Sequence, residues 1–209
     1  MYVVDRDFGF APNPFHGACT LATCKPPIRN GARINDWVIG MGGGRLRATG
    51  RCVYGMKVTE TLTFNEYWET PAYFDKRPVR NGSKVMMLGD NIYHRPQAAQ
   101  NWHQLDSHHS LPDGSPNPLN IEKDTKADRV LISRDFYYFG SAAPVVPKDL
   151  LDGVGYKNGR AHRVFSLEEC AGLLGWLRGH RNAANSIAGD PFDFTRSAKR
   201  YSGKGSSLS

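Results

Sequence analysis

Cys24 and Lys25 are adjacent, and His103, His108 and His109 fall within one seven-residue stretch further along. A thiol beside a cation, with an imidazole to take its proton, makes a nucleophile set. A carboxylate such as Asp90, acting as general base with His108, is a second acid–base option. A buried structural thiol at Cys24 is the bland alternative, so both roles stay open on sequence. His16, Cys19 and Cys24, and again His103, Asp106, His108 and His109, bring metal-ligand types together. Neither group offers the four ligands of structural zinc or the three of catalytic zinc at a standard spacing, and there is no C-x-x-C pair. No metal and no cofactor is expected.

Two other groups point towards nucleotides. Asp90-Asn91-Ile92-Tyr93 is a tight polar turn leading into an aromatic strand. It offers an amide and a carboxylate to a base edge, with Tyr93 or Trp102 as a stacking surface, and it suits a plain Asx turn equally well. Gly40, Gly42, Gly43, Gly44 and Gly50 surround Arg45, Arg47 and Arg51. Free glycine amides can cradle an anion and guanidiniums can clamp phosphate oxygens. Neither G-x-x-x-x-G-K-[ST] nor G-x-G-x-x-G is present, so the loop also reads as a simple strand connection.

The chain that must position these residues has 209 of them, with 27 Lys+Arg against 20 Asp+Glu, for a net +7. Residues 1–60 carry +4, residues 61–128 carry −2 and residues 129–209 carry +5, so the basic excess is uneven and fits an anionic partner. Hydrophobic residues make up 40%, too many for wholesale disorder, and no apolar run is long enough to span a membrane. Met1-Tyr2-Val3-Val4-Asp5-Arg6 lacks the layout of a signal peptide. The expectation is a soluble cytoplasmic protein with four reduced cysteines. One domain is expected over residues 1–195, followed by a flexible basic tail over 196–209 that ends in a Ser/Gly-rich stretch.

Strand patterns dominate the first 140 residues. Tyr2–Arg6, Asp36–Gly40, Arg51–Glu60, Lys84–Leu88, Asn91–His94, Arg129–Ser133 and Phe136–Phe139 read as strands. Thr20–Ala22 reads as the start of a short helix ended by Pro26-Pro27, and Thr63–Trp68 as one or two helical turns. Residues 107–128, rich in Pro, Asp and Asn, read as a long mobile loop. The clearest helix is 166–180, opened by the capping box Ser166-Leu167-Glu168-Glu169 and carrying the stripe Leu167, Cys170, Ala171, Leu174 and Leu177. The fold class is α+β: a mostly antiparallel sheet or small β-barrel with a few flanking helices.

Several strings together carry a family likeness. They are Asp7–Phe15, Thr20–Arg29, Asn35–Gly40, Gly89–Tyr93 and Val130–Ser133 followed by Phe136–Gly140. The series resembles the second type of nucleotide modification associated domain, a bacterial and phage family linked to DNA base modification and conflict systems. The likeness covers about residues 1–147. It implies that Asn13, Thr20, Cys24, Lys25, Arg29, Asp36, Trp37, Asp90, Asn91 and Tyr93 form a nucleotide-binding set; the glycine-rich loop adds Arg45, Arg47 and Arg51 as the phosphate-holding residues. Asp36–Val58 also resembles the barrel of base-sensing domains of the pseudouridine-synthase-associated type. The leading function is binding of a base or nucleotide, modified or not, within a DNA modification or defence system. Its rivals are an enzyme using Cys24 or Asp90/His108 chemistry and a structural partner in a modification complex. The expected partner is a nucleotide or nucleic acid, with no membrane association.

Overall fold

The short β-branched and aromatic runs settle into three open sheets rather than one closed one. The computed structural model describes residues 1–96 and 101–200. In chain order its elements are β1 (Tyr2–Val4), β2 (Cys19–Leu21), α1 (Pro26–Gly31), β3 (Trp37–Gly42), β4 (Cys52–Lys57), β5 (Glu60–Leu62) and α2 (Phe64–Glu69). There follow α3 (Lys84–Met87), β6 (Tyr93–His94), β7 (His103–Gln104), α4 (Pro118–Asp124), β8 (Val130–Ser133), β9 (Asp135–Tyr138), α5 (Lys148–Gly153) and α6 (Ala171–Gly179). The sheets run β1-β3-β4-β9, β2-β8-β5 and β6-β7, and every pair is antiparallel except β1 with β3. The class is α+β as expected.

The expected barrel does not form, because the chain changes sheets at two places. Arg51–Glu60 was expected as one strand, but it breaks after β4. Val58 N–H still bonds Asp36 in the first layer, while Thr59 N–H bonds Ile132 in the second. The chain crosses back between β8 and β9, where Ser133 Oγ bridges to Asp135 and reverses the pairing partner. The likeness of Asp36–Val58 to the pseudouridine-synthase-associated barrel therefore does not extend to closure. Isolated bridges from Ala184 and Ile187 cover the β9 edge, and one from His162 covers β1. Irregular chain thus blunts both edges of the larger sheet.

One apolar core lies between the larger sheet and α6, whose Leu173, Leu174 and Leu177 are buried. A side chain on Gly55 would strike Leu177, so α6 lies directly on β4, whose residues 52–56 are all buried and show no alternation. The second core packs the 8–22 segment and α2 against the smaller sheet.

Local chemistry explains the remaining departures from the sequence reading. Thr20–Ala22 is strand, not helix, because Cys19–Leu21 pairs with Leu131–Ser133. Pro26-Pro27 starts α1 instead of ending a helix, since the first helical positions need no N–H donor. The Lys84–Leu88 stretch is not a strand but carries the helix α3 (Lys84–Met87), capped by Ser83 Oγ, which accepts Met86 N–H. The stretch 107–128 is not a mobile loop: Ser107–Ser110 are buried, and Asn117 caps α4 through Leu119 and Asn120 N–H. The box at Ser166 and Glu169 forms, yet α6 begins only at Ala171, and Leu167 is exposed. Of the expected tail, residues 196–200 pack on the 106–112 segment; residues 201–209 lie outside the described part. Among the described residues, no helix is long and apolar enough to cross a membrane.

Candidate functional site

Cys24 sits in the connection from β2 to α1, where both it and Lys25 adopt left-handed backbone, with φ of 56° and 42°. Non-glycine residues there are strained by about 1 kcal/mol or more each, and the surroundings must impose the geometry. Two buried charged groups do so. Asp124 Oδ1 accepts the Cys24 N–H at 2.8 Å, and Arg29 Nε donates to the Cys24 carbonyl at 2.8 Å. The rest of the Arg29 guanidinium donates to the carbonyls of Asp124, Ala127 and Arg129 and so also caps the end of α4.

The thiol faces an imidazole. Cys24 Sγ lies 3.5 Å from His109 Nε2, and His109 Nδ1 lies 2.7 Å from Asp124 Oδ2. Tyr93 donates its hydroxyl to the same carboxylate oxygen at 3.0 Å, and Gln104 in turn donates to Tyr93. Asn120 Nδ2 holds the His109 carbonyl at 2.8 Å. Burial pulls the His109 pKa down, but the Asp124 carboxylate, the Cys24 sulfur and the hydrogen bonds to both outweigh it and push the ring up to about 10. Asp124 is disfavoured as an anion by burial, yet His109 and Arg29 hold its pKa below the usual carboxylate value. Nδ1 faces the carboxylate and Nε2 the sulfur, so the surroundings of the ring favour its protonated form. Nucleophile, acid–base group and orienting carboxylate in line is the arrangement of thiol catalysis.

Cys24, His109 and Asp124 are also the one set among the described residues close enough to share a metal ion, with ligand atoms within 4.8 Å of one another. Both Asp124 oxygens are already committed to the Cys24 N–H, the Tyr93 hydroxyl and His109. The carboxylate stands behind the imidazole, which leaves a sulfur and one nitrogen, short of the three ligands of catalytic zinc.

A cleft of ≈ 680 Å³ opens over the thiol. Cys24, His108, His109, Phe8 and Phe10 line its depth, and Arg6, Lys25, Arg45 and Lys123 its rim, with Asp5 the one carboxylate. Lys25 Nζ lies 4.6 Å from the Tyr2 ring centre. Phe10 packs on His109 with centroids 4.8 Å apart, and Phe8 on His108 at 4.5 Å. Burial, then the neighbouring His109 charge, pushes His108 down to about 3, so this second ring is neutral and donates Nδ1–H to the Lys199 carbonyl. Arg200 holds the same loop through Asp106 at 2.5 Å and the carbonyls of Leu111 and Pro112.

The structure sorts the sequence-predicted residues into four groups. Cys24, Lys25 and Arg45 line the cleft, and the buried Arg29 and Tyr93 support it from behind. Asn13, Thr20, Asp90 and Asn91 are buried elsewhere, around the fully buried Lys76. Lys76 Nζ donates to Asn13 Oδ1 at 2.8 Å, Ala18 O at 2.9 Å and Thr20 Oγ1 at 3.0 Å. Thr20 Oγ1 donates to Asp90 Oδ2 at 2.6 Å, Tyr67 to Asp90 Oδ1 at 2.8 Å, and Asn91 to the Tyr67 and Tyr73 carbonyls. Asp36 and Trp37 line a separate hollow of ≈ 290 Å³, and Trp37 also stacks on Tyr137. Arg47 and Arg51 are exposed, and Arg51 donates to the Ala143 carbonyl. Gly40 and Gly42 meet Tyr54 and Ala48 too closely to admit a side chain, so close packing explains both. His103 stacks on His94 in the β6–β7 hairpin, and Trp102 meets Phe64 edge-on.

Sequence reasoning reached Cys24 and the histidine segment but not Asp124, Arg6, Lys123 or Gln104. Asn117-Pro118, a cap followed by a first-turn proline, was the available signal for the helix that carries Asp124. Residues 1–198 match the family model described as nucleotide modification associated domain 2. No curated protein and no solved structure matches the chain.

Proposed function

The chain belongs to the nucleotide modification associated domain 2 family, and from that premise we propose that it is a thiol enzyme of a nucleotide-modification system. Cys24 is the nucleophile, His109 the acid–base group and Asp124 the carboxylate that orients it. The resting proton lies on His109 Nε2, and the sulfur attacks an electrophilic carbon of the substrate. As the S–C bond forms, the bond to the leaving group breaks with its electron pair, and His109 delivers the proton to that group. In the second half, water or an acceptor amine gives a proton back to His109 and displaces the sulfur, which restores the starting pair.

The observation that carries this reading is the line from Cys24 Sγ through the His109 ring to Asp124, at 3.5 and 2.7 Å, with its sulfur end at a cleft. Cys19, Cys52 and Cys170 are buried; the sulfur of Cys19 meets Met56 and that of Cys52 the Tyr54 carbonyl, and among the described residues no imidazole is hydrogen-bonded to any of the three. A base-reading role for Asn13, Asp90 and Asn91 has less support, because the hydrogen bonds they make lie inside the protein. Iodoacetamide labelling at pH 7, mapped by mass spectrometry, tests the proposal. Cys24 is expected to react faster than glutathione, and His109→Gln to slow it by about ten-fold or more while the protein stays folded. Labelling of Cys24 at the glutathione rate, unchanged in His109→Gln, sinks it.

A further inference from the structure

Four cations reach the Cys24 cleft from four separate parts of the chain. Arg6 follows β1, Lys25 precedes α1, Arg45 lies in the turn after β3, and Lys123 belongs to the last turn of α4; Asp5 is the carboxylate that lines the cleft with them among the described residues. Convergence from distant segments concentrates positive potential where the fold brings them together. The backbone beside the sulfur offers an anion little. The Cys24 amide is spent on Asp124, Pro26 and Pro27 have no N–H, and the Ile28 amide returns to the Lys25 carbonyl at 2.9 Å. Those positions leave no run of free amides, and the positive groups that the cleft presents to negative charge near the thiol are side-chain cations. The space, ≈ 680 Å³, falls within the range of small-molecule sites and is of a size for one nucleotide rather than a duplex.

Resting on the thiol reading above, we propose that Lys25, Arg45, Arg6 and Lys123 form a phosphate subsite, which holds a substrate of about one-nucleotide size with its reacting carbon at Cys24. Lys25 is the residue of the subsite nearest the sulfur in sequence. Its ammonium is partly desolvated against Tyr2, which lowers its pKa and strengthens its pull on an anion. The phosphate can belong to a free nucleotide or to one residue of a single strand; the chemistry of the subsite is the same.

Protection of Cys24 from iodoacetamide tests this with the four deoxynucleoside 5′-monophosphates, their nucleosides, inorganic pyrophosphate and a short single-stranded oligodeoxynucleotide. Monophosphates are expected to protect and nucleosides not to, with Arg45→Ala and Lys123→Ala each weakening protection about ten-fold. Protection should also fall as salt rises. Protection by the oligonucleotide alone assigns the phosphate to a strand, and protection by the monophosphates assigns it to a free nucleotide. The subsite is overturned if nucleosides protect as well as nucleotides, if nothing protects, or if both variants behave as the parent. Thermal shift of Cys24→Ser with the same ligands needs no thiol, so phosphate binding is read even where thiol activation fails.

Discussion

Residues 13–29 feed two buried polar networks that differ in two respects. In the first, Lys76 is linked to Asp90 only through Thr20 Oγ1, and its N–H bonds go to Asn13, Ala18 and Thr20 inside the protein. Burial dominates there and pulls Lys76 down to about 8, against the pull of Asp90. In the second, His109 touches Asp124 directly, and that contact overcomes burial and drives the ring up to about 10. The second network also has an open end, because the other His109 nitrogen faces a half-exposed thiol in a cleft. A strongly shifted group thus marks chemistry only where one of its atoms still reaches something that can react. Without that outlet it is architecture.

Substitutions can break this contrast in both directions. Lys76→Met should cost about 3–5 kcal/mol in urea unfolding, because Asp90 is left buried without its cation. Cys24 in the folded fraction should still label at the parental rate; a labelling defect would join the two networks. Asp124→Asn should cost less, about 2–3 kcal/mol, because its amide oxygen can still accept the Cys24 N–H, yet slow Cys24 labelling at pH 7 by ten-fold or more, since His109 loses the carboxylate that holds its charge.

The pH dependence of stability separates the networks again. The folded His109 value lies above the ordinary 6.5, so the stability from its pair is full below about 6.5 and is lost as pH rises through 10. Lys76 runs the other way: its folded value lies below 10.5, so the penalty for burying its charge grows as pH falls from 10.5 to about 8. Denaturation at stepped pH should show the gap between parent and His109→Gln narrowing from pH 7 to 10. A constant gap would mean that His109 is not charged in the fold. The smallest effect belongs to Arg45→Ala, where an exposed side chain should change unfolding free energy by no more than about 0.5 kcal/mol while weakening nucleotide protection.

The parts of the fold legible in sequence were those with local causes. β3, α2 with its Thr63 cap and the Ser166 box announce themselves within a few residues. The departures had distant causes. Cys19–Leu21 is a strand because residues 131–133 lie beside it, and the β4–β5 break depends on Ile132. The site follows the same rule. Cys24 and Lys25 stood out as neighbours, but Asp124 lies a hundred positions from Cys24 in a polar stretch that reads as loop until Asn117 is taken as a cap. Asn13 and Asp90 stood out for side chains suited to a base edge; their partners prove to be Lys76 and Thr20.

The contacts of Lys199 and Arg200 with the 106–112 loop set an order of assembly. Translation makes Cys24 first, the histidine segment some eighty positions later, Asp124 after that, and the residues that tether the histidine loop later still. A nascent chain therefore carries its thiol through most of synthesis without the imidazole locked beside it. On the proposed thiol role, activation of Cys24 waits for the folded chain, and a ribosome-held fragment ending before residue 199 should label like an ordinary thiol.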